Sequence, residues 1–270
     1  KELNKINMEG TVVIGEGEMD EAPMLYIAEK LGTLDGPKFD IAVDPLEGTK
    51  FTANNQPNAF SVIAVANKGE LLSAPDTYME KIAIGSGLPK NLLDLDHGVK
   101  KNIELLADAK NKKISDLKAC VLKRPRHENI IKELNKLNVS INYITDGDIA
   151  GALSVVGKKP LNDIYYSTGG GPEGVLAAAA LSCFGGQIQG RLVLDEEEKK
   201  RAKNLGIENF DAKYNLDDMI KGDVIFCASG VTSGDMTDGV KDLGDKYEVS
   251  TFALHKSEKV NKTIKNIYKK

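Results

Sequence analysis

Short apolar, β-branched runs alternate with stretches of helical spacing along most of this chain. Residues 11–14 (Thr-Val-Val-Ile), 39–43 and 60–66 read as strands. Residues 79–84 add a further candidate, and the Gly-Leu-Pro at 87–89 marks a loop. Residues 23–31, opening with Pro23, predict a helix. Val99, Ile103, Leu106 and Ala107 space another across 97–110. From 117 the alternation becomes regular. Strands are predicted at 118–122, 139–144, 163–167, 187–194 and 223–229, with helices at 127–137, 149–156, 173–184 and 196–204. Strand–helix alternation predicts an α/β layered sandwich. Consecutive strands early in the chain suggest an α+β lobe over 1–115, followed by an α/β lobe over 116–270. The Lys-rich tail from His255 to Lys270 reads as a solvated terminal element.

Composition narrows the class. The 270 residues are 41% hydrophobic, enough for a sizeable core. Thirty-six basic residues against 40 acidic ones give a net charge of −4, which excludes a generic nucleic-acid binder. The longest apolar stretch, 175–184, falls well short of the ~20 residues that a membrane helix needs. Cys120, Cys183 and Cys227 are widely spaced within apolar runs, so buried thiols and a reducing, cytoplasmic compartment are expected. No Cys or His spacing suggests zinc, and His97, His127 and His255 are scattered, with His127 read as a surface residue at a helix start. A triad hydrolase is not expected, since no Gly-x-Ser-x-Gly occurs.

The candidate chemistry lies where strands end. Asp44-Pro45-Leu46-Glu47-Gly48-Thr49 places two carboxylates, a flexible Gly and a hydroxyl just past a predicted strand. Hard divalent cations such as Mg²⁺ and Mn²⁺ take such oxygen ligands, often beside a phosphate. Glu16, in Gly15-Glu16-Gly17-Glu18, follows the first strand in the same way, with Glu18, Asp20 and Glu21 read as outer charges. Thr168-Gly169-Gly170-Gly171-Pro172-Glu173-Gly174 opens an Ala-rich helix and predicts an anion site with free amides. The same run fits G-x-G-x-x-G, with Asp195 about 20 residues on, so a dinucleotide-binding oxidoreductase is a rival. Glu173 counts against it, because its charge would face a pyrophosphate. Arg124-Pro125-Arg126 could fork onto a phosphate. Asp146-Gly147-Asp148 could bind sugar hydroxyls or cap a helix, and Tyr78 could reach a phosphate.

Taken together, these segments resemble the lithium-sensitive, metal-dependent sugar and inositol phosphatases. More narrowly, they resemble the bacterial class II fructose-1,6-bisphosphatases. The matching residues are 13–18, 20–26, Asp44–Thr49, Ala74-Pro75-Asp76-Thr77-Tyr78-Met79, Arg124-Pro125-Arg126-His127, Asp146–Asp148 and Pro172–Val175. The resemblance implies an α-β-α-β sandwich of the sugar phosphatase or inositol monophosphatase type. It implies Mn²⁺ or Mg²⁺, with Glu16 on one ion and Asp44, Glu47 and Glu173 on the other. Thr49, Glu16 and Asp44 would be catalytic. Glu47, Gly48, Thr49, Tyr78, Arg124, Pro125, Arg126, Asp146, Gly147, Asp148 and Gly170 would line the substrate site. The implied reaction is hydrolysis of the 1-phosphate of fructose 1,6-bisphosphate in gluconeogenesis, by a cytoplasmic homo-oligomer (dimer or tetramer). Sedoheptulose 1,7-bisphosphate and inositol-type monophosphates are alternative substrates. The family carries an upstream Asp ligand that is expected to be missing from a chain starting at Lys1, leaving the Glu16 site incomplete. The stretch after about 236 is expected to lie outside the resemblance.

Overall fold

A computed structural model describes residues 1–16 and 23–270. The early strands are β1 (Glu9–Ile14), β2 (Lys30–Leu31) and β3 (Lys38–Glu47), followed by the short helix α1 (Thr49–Ala53) and by β4 (Phe60–Asn67) and β5 (Tyr78–Ile84). Helix α2 (Gly98–Lys110) leads into β6 (Lys118–Leu122), α3 (Glu128–Lys136), β7 (Ser140–Ile144), α4 (Asp148–Leu153), β8 (Ile164–Gly170) and α5 (Gly171–Phe184). Then come β9 (Gln187–Val193), α6 (Glu196–Asn204), β10 (Lys213–Asn215), α7 (Leu216–Met219), β11 (Val224–Gly230), β12 (Lys241–Asp242), β13 (Lys246–His255) and β14 (Val260–Lys269).

The strands form two mixed sheets. One runs β12-β13-β11-β4-β3-β1-β2, with β14 on β13; the other runs β10-β9-β5-β8-β6-β7. Helix α5 lies between them and touches strands of both. Its Gly-Pro-Glu-Gly start gives way to Val175-Leu176-Ala177-Ala178-Ala179-Ala180-Leu181, all buried, because a helix that is apolar all round needs cover on every side. Its small alanines allow close approach of both sheets. On the far face of the second sheet, α2 and α3 bury Ile103, Leu106, Ala107 and Leu134 against Ile82, Ile84 and Val121. The layers are therefore α-β-α-β, as expected.

The structure departs from the sequence reading at residues 23–31, which are not helical. Leu25 and Ala28 take left-handed φ of 59° and 72°, which breaks a helix, and the segment pairs with β1 through Ala28 N to Val12 O at 2.8 Å. The expected boundary near 115 does not separate the sheets, since β5 lies inside the second sheet and β11–β14 complete the first. The Lys-rich tail is solvated as expected: it forms a ten-residue strand, β14, laid along the whole of β13 and exposed over nearly all its length. Residues 17–22, with Glu18, Asp20 and Glu21, fall outside the described residues.

Candidate active site

A β-bulge builds the acidic centre. In a regular strand, residues three apart face opposite sides. The register of β3 against β4 shifts between Asp44 and Glu47, so both carboxylates enter one cleft. Pro45 sits inside this irregularity, where its missing N–H costs no ladder bond. Gly48, at φ 79°, then turns the chain into α1 and sets Thr49 on the cleft wall. Glu173 arrives from the first turn of α5, where the helix dipole favours an acid. Asp44, Glu47 and Glu173 can each place one oxygen within 4.8 Å of the others.

These carboxylates are poorly compensated by the protein. Glu47 is buried, with the Ile149 amide donating to its Oε1 at 2.9 Å. Burial, then Glu173 and Asp44, push its carboxyl well above the usual range. Burial likewise raises Glu173 to about 7, with Lys81 pulling against it. Glu173 keeps some surface, yet its Oε2 is fully shielded and has no hydrogen-bond partner. Burial also raises Asp44, although its Oδ1 accepts the Leu46 amide at 2.9 Å. Glu16 lines the same cleft, raised by burial and by Asp44 and Asp76, but lies outside the three-carboxylate group. Such a donor set fits a hard divalent cation: it is all oxygen, anionic and partly dehydrated, with one orphaned oxygen.

A basic wall adjoins this centre across Glu47, Asp146 and Glu173. Arg126 packs 4.6 Å from the centroid of the exposed Tyr78 ring, and its Nε donates to Thr168 O at 2.6 Å. Arg124 Nη2 stands 3.9 Å from Asp146 Oδ1, and Asp146 also accepts the Lys50 amide at 3.1 Å. Pro125 opens the 3₁₀ turn between the arginines but does not line the cleft. Gly147, at φ 76°, caps α4 against the Phe51 ring.

Several expectations need correction. The Asp148 carboxylate faces inward, where Lys81, Tyr165 and Ser167 hold it. Burial would raise its pKa, but Lys81 and these bonds keep it below the usual range. Both its oxygens are thus held by the protein, although Asp148 also lines the cleft beside Gly147 and Gly170. His127 is wholly buried rather than exposed. Its Nε2 accepts the Thr168 amide at 2.7 Å, so its Nδ1 donates to Leu122 O and the ring is neutral. The amides expected before Glu173 are not free, because Gly171 N donates to Thr77 O at 2.7 Å and Pro172 has none. A Cβ on Gly169 would strike the Asp148 carboxylate, and one on Gly170 the Glu173 carboxylate. These glycines thus make room for acids, and Asp195 serves as the N-cap of α6 in a capping box with Glu198. The dinucleotide rival loses both of its supports. Sequence reasoning missed Asp76 and Lys50, which line the cleft, and buried Lys81. Lys81 was detectable as a lone charge in the inward register of Met79, Lys81 and Ala83.

A cation-ready acid cluster beside a paired arginine wall, on this layered fold, defines a metal-dependent phosphatase for a doubly anionic substrate. Residues 1–268 match the family described as bacterial fructose-1,6-bisphosphatase, glpX-encoded, and the chain belongs to that family. The match includes the stretch after about 236, which sequence reading had left outside. Fructose-1,6-bisphosphatase 1 class 2 of Escherichia coli (strain K12) is 40% identical over 281 residues, covering 98% of this chain and 83% of that protein. The class 2 enzyme of Haemophilus influenzae is 39% identical over 281 residues, covering 98% and 84%. No helix among the described residues is long and apolar enough to cross a membrane.

Proposed function

We propose that this cleft removes the 1-phosphate of fructose 1,6-bisphosphate, giving fructose 6-phosphate and phosphate. The observation that carries this is the convergence of Asp44, Glu47 and Glu173, with Glu173 Oε2 left unpartnered, beside Arg124 and Arg126. Asp44, Glu47 and Glu173 hold Mn²⁺ or Mg²⁺, and Glu16 serves a neighbouring position. When bound, the ion polarises the phosphoryl oxygens and offsets their charge. The chain's own groups do the rest. Thr49 presents its hydroxyl to the attacking water beside Glu47. Arg126, steadied on Tyr78, and Arg124 clamp the distal phosphate and so fix which end of the substrate reacts. Gly170 and Gly48 keep the backbone low enough for the sugar to enter. The free thiols of Cys120, Cys183 and Cys227 support a cytoplasmic setting, and a homo-oligomer is proposed from the family resemblance alone.

The test is phosphate release from fructose 1,6-bisphosphate, sedoheptulose 1,7-bisphosphate and fructose 6-phosphate, with Mn²⁺, Mg²⁺ or chelator. Release should require an ion, stop at fructose 6-phosphate, and fall about a hundredfold in kcat in Thr49→Ala. Turnover undiminished by chelator, or a near-normal Thr49→Ala, would refute these roles. Equal turnover of both bisphosphates would make the enzyme dual in specificity.

A further inference from the structure

Lys81 is 2% exposed on β5, directly across from Ser167 of β8. Its stem passes beneath Gly174, where a Cβ would press on Lys81 Cδ at 3.1 Å and on the Met79 sulfur at 2.7 Å. Its ammonium ends between two segments that shape the site. It donates to the Asp148 carboxylate at the start of α4 and, at 2.7 Å, to the carbonyl oxygen of Gly170 at the β8–α5 turn. Tyr165 and Ser167 complete the Asp148 carboxylate, so the network is closed at every oxygen. A buried ion pair is a poor way to gain stability, since apolar side chains often serve as well. What this pair adds is a fixed relation between Tyr78 on β5, Asp146 ahead of α4, and Glu173 three residues after the gripped carbonyl.

We propose that Lys81 is a positioning residue of the phosphatase site: by gripping Asp148 and the Gly170 carbonyl together, it sets the β8–α5 turn so that Glu173 meets Asp44 and Glu47. This role rests on the reading of Glu173 as a cation ligand. Partners that orient a metal ligand typically govern tenfold to a hundredfold in affinity or activity. A turn displaced by an ångström can cost about a hundredfold in rate. Arg124 and Arg126 come from the β6–α3 connection and reach the Lys81 network only through Asp146, Tyr78 and Thr168, so KM should change far less than kcat.

The experiment compares Lys81→Met, Lys81→Gln and Glu173→Gln in the full chain. It measures Mn²⁺ binding by electron paramagnetic resonance, kcat and KM at saturating Mn²⁺, and thermal unfolding. Lys81→Met should weaken Mn²⁺ binding about tenfold and lower kcat about a hundredfold, with KM within about threefold. Lys81→Gln keeps a donor for the Gly170 carbonyl and should recover about tenfold of that kcat. If Lys81→Met does not fold, Lys81→Gln carries the test through its own drop in Mn²⁺ affinity. Unchanged or tighter Mn²⁺ binding in the folded variants, with only the melting temperature reduced, would overturn the proposal; tighter binding would show Lys81 to be a repelling charge alone. Wild-type Mn²⁺ binding by Glu173→Gln would instead show that the ligand reading had failed.

Discussion

Asp148 and the Asp44–Glu47–Glu173 group lie in one neighbourhood, yet the chain treats these acids in opposite ways. Asp148 is matched internally by a lysine, a tyrosine and a serine, and its carboxyl is held below the usual range. Glu47 is raised by burial and then by Glu173 and Asp44, Glu173 is raised by burial against the pull of Lys81, and Glu173 Oε2 has no partner. A buried group left unmatched costs free energy, and Asp148 shows that the same neighbourhood can supply partners. On the proposed reading, this difference separates Asp148, satisfied within the protein, from three carboxylates able to hold a cation.

The sharpest way to break the comparison is to neutralise each kind of acid. Glu173→Gln or Asp44→Asn should lower kcat roughly a thousandfold in the presence of Mn²⁺, a loss of about 4 kcal/mol in transition-state stabilisation. Both proteins should stay folded, because the substitution relieves a crowded, uncompensated charge. A turnover within tenfold of wild type would place the ion elsewhere.

The next effect is on stability against pH without divalent cation. Glu173 titrates at about 7 when folded against an ordinary 4.5. Its folded pKa is raised, so its contribution is fully present below about 4.5 and is lost as pH rises through about 7. The cation-free protein should lose about 3 kcal/mol across that window, read as a falling melting temperature. Glu173→Gln or added Mn²⁺ should flatten the curve. A melting temperature that rises over the same range would mean the cluster is compensated by the protein after all.

A smaller change should follow on the basic wall. Arg126→Ala should raise KM for the bisphosphate about tenfold and leave turnover of a substrate without a distal phosphate unchanged. Smallest of all is Asp195→Ala, which removes an acid used only as a cap. It should cost about 1 kcal/mol of stability with kcat unaltered.

How much of this was legible in the sequence follows from how local each feature is. The Asp44–Thr49 segment, Glu173 and the arginine pair carry their chemistry within a few residues, and each lines or adjoins the cleft. The inward turn of Asp148 was not legible, because its partners Lys81, Tyr165 and Ser167 come from two other strands. Residues 23–31 carry the spacing of a helix, but pairing with β1 and two left-handed residues decide their path. The sheet membership of β5 was not legible for the same reason: it pairs with β8 and β9 from far along the chain. His127 looked exposed at a helix start, and only the packing of β6 and β8 around it shows a buried neutral imidazole.

The central claim is that the raised, unmatched carboxylates are a cation site. The most direct measurement is calorimetric titration of Mn²⁺ into the protein near pH 6.5 in buffers of differing ionisation enthalpy, which counts protons released on binding. Because Glu173, raised to about 7, largely holds its proton there without a cation, binding should release close to one proton per ion, and Glu173→Gln should reduce that release. Mn²⁺ binding with no proton release, or with the same release from Glu173→Gln, would contradict it.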